Sequence, residues 1–136
     1  MKFVSVCFVL IATVTIYAQD TEEKHKIDIE LENCLNDEFN HTTVAMMYCI
    51  DDALNAWDEE LNRVYKELMT LLSTDQKNVL RSAQKEWIKF RDLEYNNINS
   101  IYDFEGTMWG QVRLMKMLNI VKDRTMTLSD YLNAYK

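Results

Sequence analysis

The sequence predicts an all-α fold: a small antiparallel helical bundle of three main helices plus a shorter N-terminal helix, with one disulfide. Three observations carry this prediction. The 136-residue chain contains no proline and only two glycines, so it is nearly free of the residues that interrupt helices. Apolar residues recur at alternating spacings of three and four, the period of a helix that buries one face. No segment shows the apolar and polar alternation of a strand bounded by hairpin turns.

The chain opens with Met1-Lys2, an apolar stretch from Phe3 to Tyr17, and then Ala18-Gln19-Asp20 at the edge of a charged region. This is the pattern of a secretory signal peptide over residues 1–19. The stretch is shorter than the ~20 residues a spanning helix needs, and no second one follows. Cys7 lies inside it, too early for a lipid-attachment cysteine. Residues 20–136 are then expected to form a single helical domain, periplasmic or secreted, with no membrane insertion after cleavage.

Within that domain, a weak first helix from about Thr21 to Asn36 carries Ile27, Ile29 and Leu31, and a polar break runs from Asn36 to Thr43. The second helix is stronger. Met47, Ile50, Leu54, Trp57, Leu61, Val64, Leu68 and Leu71 form one continuous stripe, with Thr42 or Thr43 placed to cap it. Ser73-Thr74-Asp75-Gln76 has the form of a capping box and starts a third helix. Its stripe passes through Val79 or Leu80, Ala83, Trp87, Phe90, Glu94 or Tyr95, Ile98 and Ile101. So short a connection forces the second and third helices into an antiparallel hairpin, and Trp57, Leu61, Trp87 and Phe90 are expected to meet across it. From Asn96 to Gly110 turn formers mix with Tyr102, Phe104 and Trp109, the one long connection. Thr107 can cap a fourth helix with a stripe of Leu114, Leu118, Val121, Thr125, Leu128, Leu132 and Tyr135.

The net charge is −7, and −8 once Lys2 leaves with the signal. An acidic surface cannot supply the phosphate contacts that nucleic acid requires. It draws in a cationic protein by long-range attraction that weakens as salt rises; it also keeps an exported protein soluble, and both readings stand. Two cysteines remain after cleavage, Cys34 and Cys49. In an oxidising compartment an isolated pair is far more often a disulfide than a metal site or a nucleophile.

Catalytic chemistry finds little to work with. Ser73, Ser82, Ser100 and Ser129 have no histidine beside them and no G-x-S-x-G turn. His25 and His41 are the only histidines and suggest no metal site, and no cofactor is implied. Asp51-Asp52 and Asp58-Glu59-Glu60 lack the spacing of a calcium loop and read as solvated helix faces. A carboxylate pair working as in glycoside hydrolysis needs a cleft between the two groups, which a bundle of this size does not obviously provide.

One pairing of motifs remains. D-x-x-L-N-x-x-Y, at Asp58, Leu61, Asn62 and Tyr65, is followed by L-x-x-A-Q-x-x-W-x-x-F-R-D, at Leu80, Ala83, Gln84, Trp87, Phe90, Arg91 and Asp92. It resembles the lysozyme-inhibitor LprI-like N-terminal domain family, from Cys34 to about Leu132. The resemblance implies a small exported helical domain, a Cys34–Cys49 bridge, inhibition of lysozyme as the activity attached to the family name, and a cationic protein such as lysozyme as partner. The chain departs from the family pattern at a second cysteine pair. Tyr95 stands where one such cysteine is common, and none occurs near Lys116 or Met117. Both halves are absent together, so Tyr95 and Met117 are expected to fill that space. Asp58, Asn62, Gln84, Arg91 and Asp92 read as hydrogen bonds and an Arg91 ion pair that fix the register of the hairpin.

The leading expectation is therefore an exported binding protein that blocks a cationic cell-wall hydrolase by steric occlusion. Its rivals are a non-catalytic interaction module of the cell envelope and, third, an enzyme. Two loops are candidates for the contact: Asn36 to Thr43, which includes His41, and Asn99 to Trp109. In the second, Tyr102, Phe104 and Trp109 would supply apolar contacts, with Asp103 and Glu105 facing the partner's positive rim. Trp109 reads equally as a hydrophobic staple at the mouth of a helix or as an exposed anchor.

Overall fold

Helix formation in this chain is punctuated by its polar side chains. The computed structural model describes residues 24–136, and the expected signal peptide over residues 1–19 lies outside the described residues. His25 Nδ1 accepts from the Ile27 amide at 3.3 Å to open α1 (Lys26–Asn36), which starts later than the sequence suggests. Thr42 Oγ1 accepts from the Ala45 amide at 3.1 Å at the head of α2 (Thr43–Leu71). The capping box begins α3 (Thr74–Ile101): the Ser73 amide donates to Gln76 Oε1 at 2.9 Å, and the Gln76 amide donates to Ser73 Oγ at 3.4 Å. Each such bond satisfies an amide that the first helical turn leaves unpaired. Thr107 precedes α4 (Met108–Asn133) but makes no side-chain cap bond. No strand occurs among the described residues.

Hydrogen bonds between helices fix the topology. Gln111 Nε2 donates to the Thr43 carbonyl, and Thr125 Oγ1 to the Trp57 carbonyl, both at 3.4 Å. These two contacts advance together along α2 and α4, so the two helices run parallel, and α3 is the return path between them. α1 runs antiparallel to α2: the Cys34–Cys49 disulfide joins them near one end, with a Cα separation of 5.8 Å, and the rings of His25 and Trp57 lie 4.4 Å apart at the other. Lys122 on α4 holds Asp28 on α1 at 2.7 Å.

The core lies between α2 and α4. Ile50, Trp57, Leu61, Val64 and Leu68 face Leu118, Val121, Leu128 and Leu132, joined by Leu80 from α3. Thr125 is the one buried polar residue among those described, and its single hydroxyl proton is shared between the Trp57 carbonyl and the nearer Val121 carbonyl at 2.9 Å, so its burial leaves the donor satisfied. Helix α1 adds Ile27, Leu31 and Leu35 as partly buried cover and has no fully buried residue.

This arrangement corrects the expected hairpin core. The α2 stripe meets α4, and α2 and α3 make few close approaches. Trp57 and Leu61 are buried as expected, but Trp87 is half-buried and Phe90 is 53% exposed. Ala83 is also exposed, and only Leu80 and Ile98 of α3 are buried. The physical reason is the supply of apolar area. The α2 and α4 stripes are almost wholly apolar, with Thr125 the one polar residue buried in them, whereas Gln84, Arg91 and Glu94 interrupt the buried side of α3. Pairing the two richer stripes removes more apolar surface from water. Tyr95 and Met117 do meet, the phenol donating to the Met117 carbonyl at 3.4 Å. Burial there pushes the Tyr95 pKa up.

Candidate functional site

Two loops close the same end of the bundle. The first joins α1 to α2. Within it the Asn40 side chain donates to the Cys34 carbonyl at 2.9 Å, and the Phe39 amide donates to Asp37 Oδ1 at 2.9 Å, which folds the segment back on itself as an Asx turn. Its apolar side chain faces outward, with Phe39 84% exposed, and His41 is exposed as well.

The second loop joins α3 to α4. The Tyr102 amide still donates to Ile98 at 3.0 Å to finish α3, and Gly106 takes φ +104°, a conformation that favours glycine. Phe104 and Tyr102 both pack on Trp109, with ring centroids 4.7 Å and 6.0 Å away. Arg113 donates to the Tyr102 carbonyl at 2.7 Å, and Lys116 sits 5.1 Å from the Tyr102 ring. A Cβ at Gly110 would lie 2.7 Å from Met47 Cε, so glycine here lets α4 approach α2 closely. That approach, with the Gln111–Thr43 bond, brings the two loops to one end of the molecule. Trp109 is half-buried while Phe104 and Met108 are largely exposed. Asp37, Glu38, Asp103 and Glu105 are exposed, and none joins an ion pair among the described residues.

The family-motif residues lie elsewhere, along α2 and α3. Arg91 pairs with Asp58 across to α2 at 3.5 Å and with its neighbour Asp92 at 2.8 Å. Asn62 donates to the Asp58 carbonyl at 2.8 Å and to its carboxylate at 3.2 Å. Gln84 turns toward α4, where Arg124 Nε donates to its Oε1 at 3.0 Å. The Trp87 ring lies near both Arg91 and Arg124, 5.6 Å and 5.9 Å from the two guanidinium carbons. Leu61 and Leu80 are core, Tyr65 is half-buried, and Ala83, Phe90 and Asp92 are exposed. Sequence reasoning missed Arg124. Its signal was available: it stands three residues after Val121 and four before Leu128, inside an otherwise apolar stripe.

Among the described residues no group of three or more His, Cys, Asp or Glu side chains could hold a metal ion. The resolved carboxylate shifts, at Glu60, Glu67 and Glu86, are all downward and caused chiefly by hydrogen bonds from Arg63, Lys136 and Lys89. A general acid needs the opposite shift. No described helix is long and apolar enough to cross a membrane.

Fold and surface together define a small, disulfide-latched, all-α module that presents two loops at one end. The family model described as Lysozyme inhibitor LprI matches residues 34–128, and the chain belongs to that family. It is also similar in fold to a crystal structure of an uncharacterized protein from Burkholderia thailandensis, with a TM-score of 0.78 and 23% identity. That match covers 83% of this chain and 56% of the other, so the chain spans little more than half the length of that relative. No curated protein matches the chain.

Proposed function

We propose that the mature chain is an exported, non-catalytic binding protein that occludes the substrate cleft of a cationic cell-wall hydrolase of the lysozyme type. The observation that carries this reading is the aromatic cluster of the α3–α4 loop: exposed Phe104 seated on half-buried Trp109, flanked by the carboxylates of Asp103 and Glu105, which join no ion pair among the described residues. A rigid aromatic group with a supported base loses little freedom on binding, which is how interface anchors act. The acidic rim steers a cationic enzyme toward the loops. Family membership supports the same class of partner, and the neighbouring loop with Phe39 and His41 widens the contact.

An activity titration tests this against several lysozyme types at low and physiological salt. Inhibition should strengthen at low salt, and Phe104→Ala should weaken binding by about 2 kcal/mol. Neutralising Asp103 and Glu105 should mainly slow association. Undisturbed hydrolysis at micromolar protein, with no detectable complex, removes this reading. The second reading, an interaction module of the cell envelope, is favoured by a different observation: Phe90 and Leu93 on the outer side of α3 are 53% and 69% exposed. Occlusion by the loops leaves that face unused.

A further inference from the structure

The end of the bundle opposite the loops carries a groove of about 570 Å³ where the last turns of α2 meet α3 and α4, a size typical of small-molecule sites. Its walls are mostly apolar, formed by Leu72, Val79, Leu80, Ala83, Tyr131 and Tyr135. Two charged groups line it, Asp75 at the start of α3 and Arg124 on α4. Arg124 is half-buried, and burial draws its pKa below the ordinary arginine value. No carboxylate among the described residues pairs with it. Its Nε is engaged by Gln84, and Trp87 lies near its guanidinium carbon. Both Nη groups are left without a protein partner among the described residues. A guanidinium so placed is held in position, partly dehydrated and still able to donate to an anion.

We propose that this groove binds a medium-chain fatty-acid carboxylate, with Arg124 holding the carboxylate and the apolar walls covering the acyl chain. The two charges set the direction. Asp75 repels the head group from its own end, so the carboxylate lies at the Arg124 end and the tail points toward the α2–α3 turn. From Asp75 to Ala83 the helix rises about 12 Å, a span suited to a chain of that length. The proposal gives the motif residues Leu80, Ala83 and Gln84 a common setting: the first two line the groove, and the third fixes the cation.

Calorimetric titration of the purified protein with dodecanoate, kept below its micelle concentration, tests the assignment, with octanoate, dodecanol and dodecylammonium as comparison ligands. Dodecanoate should bind, and octanoate should bind more weakly by about fourfold per methylene removed. Arg124→Gln should weaken dodecanoate about tenfold or more while leaving dodecanol unchanged. Val79 is 71% exposed, so Val79→Glu should leave the fold intact and weaken both ligands, which guards against a trivial effect of the Arg124 substitution on folding. Absence of binding by dodecanoate overturns the proposal. So does binding of dodecylammonium as tight as that of dodecanoate, or an Arg124→Gln protein that binds dodecanoate as the parent does.

Discussion

The indole of Trp57 has no solvent exposure, and it gathers three helices around itself. His25 of α1 lies 4.4 Å from its ring, Lys122 of α4 sits 5.6 Å away, and its carbonyl accepts from Thr125. Its Nε1–H has no partner among the described residues, a cost of about 1–3 kcal/mol that the burial of so large a side chain offsets. Trp57→Ala should therefore lower stability by about 3–5 kcal/mol, read from urea unfolding followed by circular dichroism. Phe90 makes the contrast. It is 53% exposed, so Phe90→Ala should stay within about 0.5 kcal/mol of the parent. The two residues were indistinguishable in the sequence, because each stands in an apolar stripe of helical period. Periodicity identifies the face a helix would bury, but which face reaches the centre depends on which helices pair.

At the scale of the element, α2 carries a charged ladder on its outer face. Arg63 reaches Glu60 and Glu67 at 2.7 Å each, and Lys136 reaches Glu67 at 3.1 Å. The hydrogen bond from Arg63 holds the Glu60 carboxyl below its ordinary value of 4.5, and that from Lys136, followed by that from Arg63, does the same at Glu67. A depressed carboxylate contributes stability that is fully present above the ordinary value and is lost as pH falls through the lower, folded one. Arg63→Gln should thus lower the melting temperature at pH 7, and the gap to the parent should close as pH falls below about 4.5. It should also narrow in high salt. Local features of the elements were legible in advance at Thr42 and the Ser73–Gln76 box, which each signal through a few adjacent residues. The connection expected from Asn96, by contrast, begins only after Ile101, because α3 continues through that polar run. The pairing of α2 with α4 was not legible, since it rests on comparing apolar area between segments far apart in the chain. The meeting of the two loops at one end follows from that pairing and was hidden with it.

Across the whole molecule, the disulfide secures the helix that is least able to hold itself. Helix α1 has no fully buried residue, and the bridge to Cys49 spans a sequence separation of 15. Replacing both cysteines with serine should cost about 3 kcal/mol. Hydrogen exchange should show the loss concentrated in residues 26–36, with α2 and α4 still protected. The parallel run of α2 and α4 also shapes how the chain reaches its fold. Helical bundles fold fast when neighbours in sequence are neighbours in space, but here the core of α2 has no adequate cover until the 26 residues of α4 arrive. A chain ending before Met108 would keep the stripe from Ile50 to Leu68 bare. Such a fragment should bind hydrophobic dyes, unfold without a cooperative transition and aggregate at concentrations the full chain tolerates. The same interval occurs each time the complete chain is made or refolds, and a chaperone that shields α2 until its C-terminal partner docks would suppress aggregation during it.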